Sequence, residues 1–132
     1  MSLFFADSFY SLACLNQFDG AHKRAVRLAQ SHVTRTVTTE FVLLEVADAF
    51  ASPPARVTCA RFLQQLRTDP MTRIVRSSAR LFDEAFNLYA TRLDKGWSLT
   101  DCASFVVMNR LRISDALTAD HHFAQAGFRI LL

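Results

Sequence analysis

In the stretch LFFADSFYSLACLN, residues 3–16, a strand-like segment and a helix-like segment lie on either side of an acid. Leu3–Ala6 is a short apolar run with strand character, and it ends directly at Asp7. From Phe9 to Asn16 the apolar positions follow helical spacing. A strand that passes straight into a helix is the building unit of an α/β fold.

The rest of the chain repeats this alternation. Further strand-like segments are residues 34–38 (TRTVT), 71–75 (MTRIV), 116–118 (ALT) and 128–132 (FRILL). Helical periodicity predicts helices over residues 21–31, 41–48, 54–66, 78–93 and 101–112, and a short one over 121–124. The pattern predicts a three-layer α/β/α sandwich with a central, mostly parallel sheet of about five strands.

Helical spacing also assigns an inward face to three of these helices. The predicted inward residues are Phe41, Leu44, Glu45 and Asp48 in the third helix, Val57, Ala60, Leu63 and Leu66 in the fourth, and Leu81, Ala85, Leu88 and Tyr89 in the fifth. An ionised carboxylate such as Glu45 is costly on an inward face unless a cation or an arginine pairs with it.

Length and composition limit the class of protein. With 132 residues and 51% hydrophobic content, we expect a single domain over residues 1–132. Cys14, Cys59 and Cys102 are odd in number and widely separated, which fits neither a disulfide framework nor a zinc motif. The N-terminal segment lacks signal-peptide features, and no segment approaches the roughly 18 apolar residues of a membrane span. The sequence therefore predicts a cytoplasmic protein with no membrane partner.

The basic residues are mostly arginine. The net charge is +3, and 13 of the 15 basic side chains are arginine. Arginine binds phosphate through paired hydrogen bonds, which suits a nucleic-acid partner, although a GC-rich genome also enriches arginine. Charge alone therefore does not decide the function. The arginines considered for phosphate contacts are Arg35, Arg73, Arg76, Arg110 and Arg112.

Four acids lie where strands end or helices begin. Asp7 follows the first strand, Asp120 follows the ALT segment, and Asp101 lies in the first turn of a helix. Glu45 lies about one and a half turns into the helix that follows TVTT. Because ligands bind at the carboxyl ends of the strands in an open parallel sheet, we expect these four acids to converge.

Each acid also has a purely structural interpretation. Asp7 and Asp120 fit the N-cap positions of the helices that follow them. Ser98 and Asp101 have the spacing of a capping box. Glu45 would need only an arginine partner. The coincidence of the four acids nevertheless favours a shared site.

Clustered carboxylates repel one another, and a divalent cation relieves that repulsion. Mg²⁺ and Mn²⁺ prefer oxygen ligands, so a few carboxylates around one or two ions are expected. Such ions activate water and stabilise charge on a phosphodiester. The predicted reaction is metal-assisted phosphodiester hydrolysis, with Asp7, Glu45, Asp101 and Asp120 as metal ligands and catalytic residues.

These motifs, in this order, resemble those of the PIN domains, and among them the VapC-like ribonuclease toxins and their relatives. The similar segments are FADSFYSLACLN with Asp7, TTEFVLLEVADAF with Glu45, SLTDCASFVVM with Asp101, and ALTADHHFAQAGFRILL with Asp120, Phe123 and Gly127. The resemblance covers essentially the whole chain.

The resemblance implies a parallel sheet flanked by helices and Mg²⁺- or Mn²⁺-dependent cleavage of RNA. It also implies frequent homodimers and, commonly, a cognate antitoxin that inhibits a toxin. Many members carry a further acid two residues past the fourth position, where this chain has His122. This departure bears on how a second metal would be held.

Other polar residues are candidates for supporting roles. Ser8, Ser98 and Thr100 are candidates for orienting the carboxylates by hydrogen bonds, although hydroxyl residues are also ordinary helix starts. His121 and His122 are interpreted as rim residues of the site or as the start of a short helix, with a general base or metal ligand as the alternative.

Two other classes of function are weighed against the nuclease. A non-catalytic module that binds RNA or protein would differ from it in lacking divalent-ion binding at the acids. A phosphotransfer or receiver-like domain is disfavoured, because Asp7-Ser8-Phe9 stands where a D-x-D pair would be needed. With only three glycines, the chain has no phosphate-binding glycine loop.

Overall fold

Strands and helices alternate along the computed structural model, which describes residues 2–31 and 34–132. The strands are β1 (Ser2–Ala6), β2 (Thr34–Thr39), β3 (Thr72–Val75), β4 (Asp115–Leu117) and β5 (Arg129–Ile130). The helices are α1 (Ser8–Leu15), α2 (His22–Gln30), α3 (Glu40–Ala49), α4 (Ala55–Thr68), α5 (Ala79–Thr91), α6 (Leu99–Arg110) and α7 (His121–Gln125).

The five strands form one parallel sheet in the order β3-β2-β1-β4-β5. β1 is the central strand, with Phe4 opposite Thr36 of β2 and Phe5 opposite Ala116 of β4. The chain runs outward from β1 to β3 and then returns to β4 on the other side. This reversal is a topological switch point, where open α/β sheets bind ligands beyond the strand carboxyl ends.

The sheet separates two buried cores. Phe5 and Val37 face the larger core, to which α3, α4, α5 and α6 contribute. Ala6 and Leu117 face the smaller core, to which α1 and α2 contribute. Because successive strand residues point to opposite faces, β1 supplies both cores. The predicted three-layer α/β/α sandwich is confirmed.

The predicted elements agree closely with the observed ones, and each predicted boundary lies within two residues of an observed one. The three cysteines are free thiols, as their spacing predicts. Among the described residues, no helix has both the length and the apolar character needed to cross a bilayer.

The predicted inward face of α3 is wrong except at Phe41, which packs against the larger core. Its buried residues are Val42 and Val46, whereas Leu44, Glu45 and Asp48 are exposed. Apolar residues recur at helical spacing on two faces of this helix. The sequence pattern therefore could not distinguish the buried face from the exposed one, and the prediction chose the exposed face. Glu45 is therefore not a carboxylate forced into the core.

The faces of α4 and α5 are each wrong in part. In α4 the buried residue is Cys59, and Val57 and Ala60 are exposed. In α5, Leu81 and Ala85 are buried as predicted, but Tyr89 is exposed. An aromatic ring at the edge of a buried stripe satisfies the same periodicity as one inside it.

Candidate active site

Asp7 lies at the carboxyl end of the central strand and is only 3% exposed. It occupies the N-cap position of α1, yet its side chain accepts no capping hydrogen bond from the described amides of that helix. Its Oδ2 instead accepts a hydrogen bond of 2.9 Å from the Thr118 hydroxyl, just beyond β4. Asp7 is thus held across the switch point between β1 and β4.

Burial is the main influence on the Asp7 carboxyl and raises its pKa to about 7. The nearby Ser8 amide and the hydrogen bond from the Thr118 hydroxyl lower this pKa. The charges of Asp101 and Glu45 raise it further, which places both acids in its surroundings. A carboxylate in this position is unfavourable unless a cation compensates its charge.

Asp101 forms the capping box that the sequence predicts at the start of α6. Its amide donates to Ser98 Oγ at 2.9 Å, and its Oδ2 accepts from the Ser98 amide at 3.1 Å. The side chain is nevertheless buried, and burial raises its pKa. The nearby charge of Asp120 raises that pKa further. The helix start therefore presents a poorly solvated carboxylate toward the other acids.

Asp120 is the N-cap of α7, and its Oδ1 accepts from the His122 amide at 2.9 Å. Its own amide donates to Thr118 Oγ1 at 3.0 Å, and the same hydroxyl donates to Asp7. One buried threonine thus fixes the positions of two acids from different strands.

His122 lies between two of the acids. Its Nδ1 is 3.0 Å from Asp120 Oδ1 and 3.7 Å from Asp101 Oδ2. The imidazole is therefore in contact with the carboxylates rather than turned away from them.

Glu45, the fourth predicted acid, lies on α3. Thr39 caps this helix, accepting the Val42 amide at 3.1 Å, and Glu45 follows on its exposed side. Its charge still acts on Asp7. The predicted acids thus range from the buried Asp7 to the exposed Glu45.

A cluster of aromatic rings fixes the elements that carry three of the acids. Phe105 packs edge-on against Phe123 at 5.0 Å and against Trp97 at 5.1 Å between centroids, and Phe5 lies 6.2 Å from Phe123. These rings come from β1, α6, α7 and the segment before α6. The spacing of Asp7, Asp101 and Asp120 is therefore set by buried packing.

The charge of this group is not balanced by basic side chains. Within the described ranges, no lysine or arginine forms an ion pair with the four carboxylates, and His122 and His121 are the partners near Asp120. The group therefore fits a divalent cation, since oxygen ligands with unrelieved repulsion are what Mg²⁺ and Mn²⁺ bind. The structure also departs from the prediction in one respect. Among the described residues, the potential ligand atoms within 4.8 Å of one another belong to Asp120, His121 and His122.

The residues predicted to support the acids take different positions. Ser98 contacts Asp101 directly, and the Ser8 amide acts on Asp7. Thr100 instead lines a separate small cavity of about 80 Å³, beside Leu99. Sequence reasoning missed Thr118, whose only signal is a hydroxyl residue between a strand end and an acid.

The arginines predicted to grip phosphate are mostly distant from the acids. Arg35 and Arg73 lie at the amino-terminal halves of their strands, and Arg110 pairs with Glu84. Arg76 directly follows β3, at the carboxyl edge.

A basic cavity lies near the acids. Arg92, Lys95, Ser98 and Tyr89 help to line a cavity of about 390 Å³. Ser98, which lines this cavity, is hydrogen-bonded to Asp101.

Comparison with known proteins relates this geometry to a family. No family model matches the chain, and no curated protein matches it significantly. Solved structures do match. VapC20 of Mycobacterium tuberculosis, described as a toxin that cleaves the sarcin–ricin loop, is 26% identical, with a TM-score of 0.83 over 96% of each chain.

Two more distant structures share the fold. VapBC2 of Rickettsia felis, bound to a DNA fragment from the promoter, is 11% identical with a TM-score of 0.68, over 98% of this chain and 97% of that one. FitAcB of Neisseria gonorrhoeae is 14% identical with a TM-score of 0.65, over 98% and 96%.

The all-parallel sheet and the likeness to VapC20 support a PIN-domain fold for this chain. Within that fold, the similarity to VapC20 over 96% of each chain supports a VapC-like PIN domain.

Proposed function

We propose that this protein is a divalent-metal-dependent endoribonuclease that hydrolyses RNA phosphodiester bonds, as the toxin of a toxin–antitoxin pair. The observation that carries the proposal is the convergence of Asp7, Asp101 and Asp120, with Glu45 beside them, at the carboxyl end of the central strand. The description of VapC20 as a toxin that cleaves the sarcin–ricin loop supports the same class of activity.

In this proposal the four acids hold Mg²⁺ or Mn²⁺, and the exposed Glu45 marks the side from which RNA approaches. When bound, the ion lowers the pKa of a coordinated water and offsets charge on the phosphodiester. Thr118 and Ser98 keep the Asp7 and Asp101 carboxylates in place. Hydrolysis joins the water oxygen to phosphorus, breaks the bond to the leaving ribose oxygen and gives that oxygen a proton.

The basic cavity beside Ser98 is the proposed position of the neighbouring RNA backbone. Arg92 lies over the Trp97 ring, 4.9 Å from its centroid. Arg92 and Lys95 both line the cavity and both pair with the exposed Asp94, at 3.2 and 3.5 Å. The stacked guanidinium has a restricted orientation, which favours a defined contact with phosphate.

Cleavage of a mixed RNA pool in Mn²⁺, compared between wild type and Asp101→Asn, tests the proposal. Asparagine still accepts the Ser98 amide, so we expect a folded variant whose cleavage falls by at least about 100-fold, since an ion site loses a charged ligand. Asp83→Asn, on the exposed side of α5, is the matched control and should cleave like wild type. Wild-type cleavage by Asp101→Asn would refute the assignment of Asp101.

A homodimer is the proposed assembly, and an apolar stripe on α5 supports it. Phe82, Phe86 and Tyr89 on α5, and Leu93 just after its end, recur at helical spacing, and each is at least 46% exposed. Rows of exposed apolar side chains are typical of protein contacts. A cognate antitoxin is a further proposed partner, for which the family resemblance is the support.

The alternative is a PIN-fold module that binds RNA or protein without cleavage. The exposed α5 stripe and the basic cavity would serve such a role equally well. Wild-type protein that binds RNA in Mn²⁺ but leaves it intact would favour this alternative.

A further inference from the structure

His121 and His122 place two imidazole rings beside Asp120 at the start of α7. The His121 Nδ1 is 3.8 Å from Asp120 Oδ1, and the His122 Nδ1 is 3.0 Å from the same oxygen. The Asp101 Oδ2, from α6, is 3.7 Å from the His122 Nδ1. Potential ligand atoms of Asp120, His121 and His122 all lie within 4.8 Å of one another. The cluster thus combines two nitrogen donors with carboxylates from two helices.

The three nitrogen-to-oxygen distances of 3.0, 3.7 and 3.8 Å fit ligands that share one ion. Two atoms bonded to a metal at about 2.1 Å, at angles between roughly 90° and 130°, lie about 3.0–3.8 Å apart. The backbone also holds the donors together, because the His122 amide donates to Asp120 Oδ1 at 2.9 Å. The two imidazole rings lie 4.3 Å apart between centroids.

The donor set differs chemically from four carboxylates. Imidazole nitrogen suits Zn²⁺, Co²⁺ and Ni²⁺, whereas Mg²⁺ takes oxygen ligands almost exclusively. We propose that Asp120, His121 and His122, with Asp101 in reach, form a transition-metal site that binds Zn²⁺-class ions through its imidazoles, in preference to Mg²⁺. The site shares two acids with the proposed nuclease centre, but it stands on the histidine contacts and requires no RNA cleavage.

The site is accessible from solvent. The His121 side chain is 73% exposed, and His122 is partly exposed. Gly96 borders His122, and a Cβ at that position would lie 3.6 Å from the His122 Nε2. An ion therefore reaches the donors without movement of the core.

Imidazole signals in proton–carbon NMR spectra of the wild-type protein measure metal binding at this site directly. During titration with ZnCl₂ we expect the His121 and His122 signals to shift, while that of His22, whose Nδ1 contacts the Ala13 carbonyl at 2.7 Å, stays in place. MgCl₂ at the same concentration, whose ion binds carboxylates and not imidazole nitrogen, should shift the exposed His121 signal much less than ZnCl₂ does. Unchanged His121 and His122 signals in Zn²⁺ would overturn the proposal and identify the 3.0 Å contact as only a hydrogen bond.

Calorimetric titration with Zn²⁺ gives a second, quantitative measure. We expect His122→Ala to weaken Zn²⁺ binding at least tenfold, and His22→Ala to leave it unchanged. Equal Zn²⁺ affinity in wild type and His122→Ala would also overturn the proposal.

The RNA assay separates this proposal from the proposed function. Cleavage that depends on Asp101 without Zn²⁺ binding at the histidines would refute the transition-metal site alone. Zn²⁺ bound at the histidines confirms the site, and a lack of RNA cleavage in any divalent ion would then count only against the nuclease.

Discussion

Replacing Asp7 with asparagine is expected to remove much of the pH dependence of stability of the metal-free protein. Burial raises the folded-state pKa of Asp7 to about 7 from an ordinary value of 3.8, so the folded protein favours the protonated acid. Between these two pH values the folded state binds more protons than the unfolded state. Stability therefore falls as the pH rises from about 4 to 7 and levels off above that range.

The size of the effect follows from the shift. A change of about 3 pKa units corresponds to roughly 4 kcal/mol of lost stability once Asp7 is ionised. Because Asp7 is 3% exposed, solvent screening reduces this value little. Between pH 5 and pH 8 about 2–3 kcal/mol of that loss is expected in the wild type. Asparagine keeps an acceptor for the Thr118 hydroxyl and carries no charge.

Urea denaturation in EDTA at pH 5 and pH 8 measures this difference for wild type, Asp7→Asn and the control Asp83→Asn. The Asp7→Asn protein should gain about 2–3 kcal/mol relative to wild type on passing from pH 5 to pH 8. Asp83→Asn should follow the wild type. An Asp7→Asn protein that loses as much stability as the wild type over this range would refute the burial argument. The stability of Asp7→Asn should still fall with pH, but less steeply than that of the wild type, because the pKa of Asp101 is also raised.

Other contacts make separate predictions. Thr118→Val removes the hydroxyl that donates to Asp7, so the Asp7 pKa should rise by about one unit, as followed by carboxyl NMR titration; an unchanged pKa would contradict the contact. Phe105→Ala should lower the free energy of unfolding by about 3–5 kcal/mol, and Phe18→Ala, at an 87% exposed ring, by less than about 0.5 kcal/mol. Phe86→Glu should convert a dimer to a monomer in light-scattering chromatography while Phe18→Glu does not; a Phe86→Glu dimer would exclude the α5 stripe as the interface.

The sheet could be predicted because each strand carries its own local signal. Residues 34–38 are rich in β-branched residues, and FFAD ends a buried run with an acid, so alternation with helices indicated parallel pairing. The strand order then brings Asp7 beside Asp120, since β1 pairs with β4. The spacing of residues along the chain does not give the order of the strands. The prediction that the acids converge therefore depended on the general rule that ligands bind at the carboxyl ends of parallel strands.

The helix faces and the supporting contacts could be predicted less well. Leu44 and Val46 lie on adjacent stripes of α3, and only tertiary packing decides which is buried. Thr118 is an ordinary residue in sequence, and its role depends on two contacts made across strands. The proximity of His122 to Asp101 likewise depends on how α7 packs against α6.

The helix-start acids need not be assigned to structure or chemistry alone. A carboxylate has two oxygens and about four acceptor positions. In Asp101 the bond from the Ser98 amide engages Oδ2, and in Asp120 the bond from the His122 amide engages Oδ1. Each cap therefore orients its carboxylate while acceptor positions remain for a cation. Ser98→Ala tests the connection, since loss of the Ser98 hydroxyl should weaken Mn²⁺ binding through a less ordered Asp101. Unchanged Mn²⁺ affinity in a folded Ser98→Ala protein would separate the cap from the metal site.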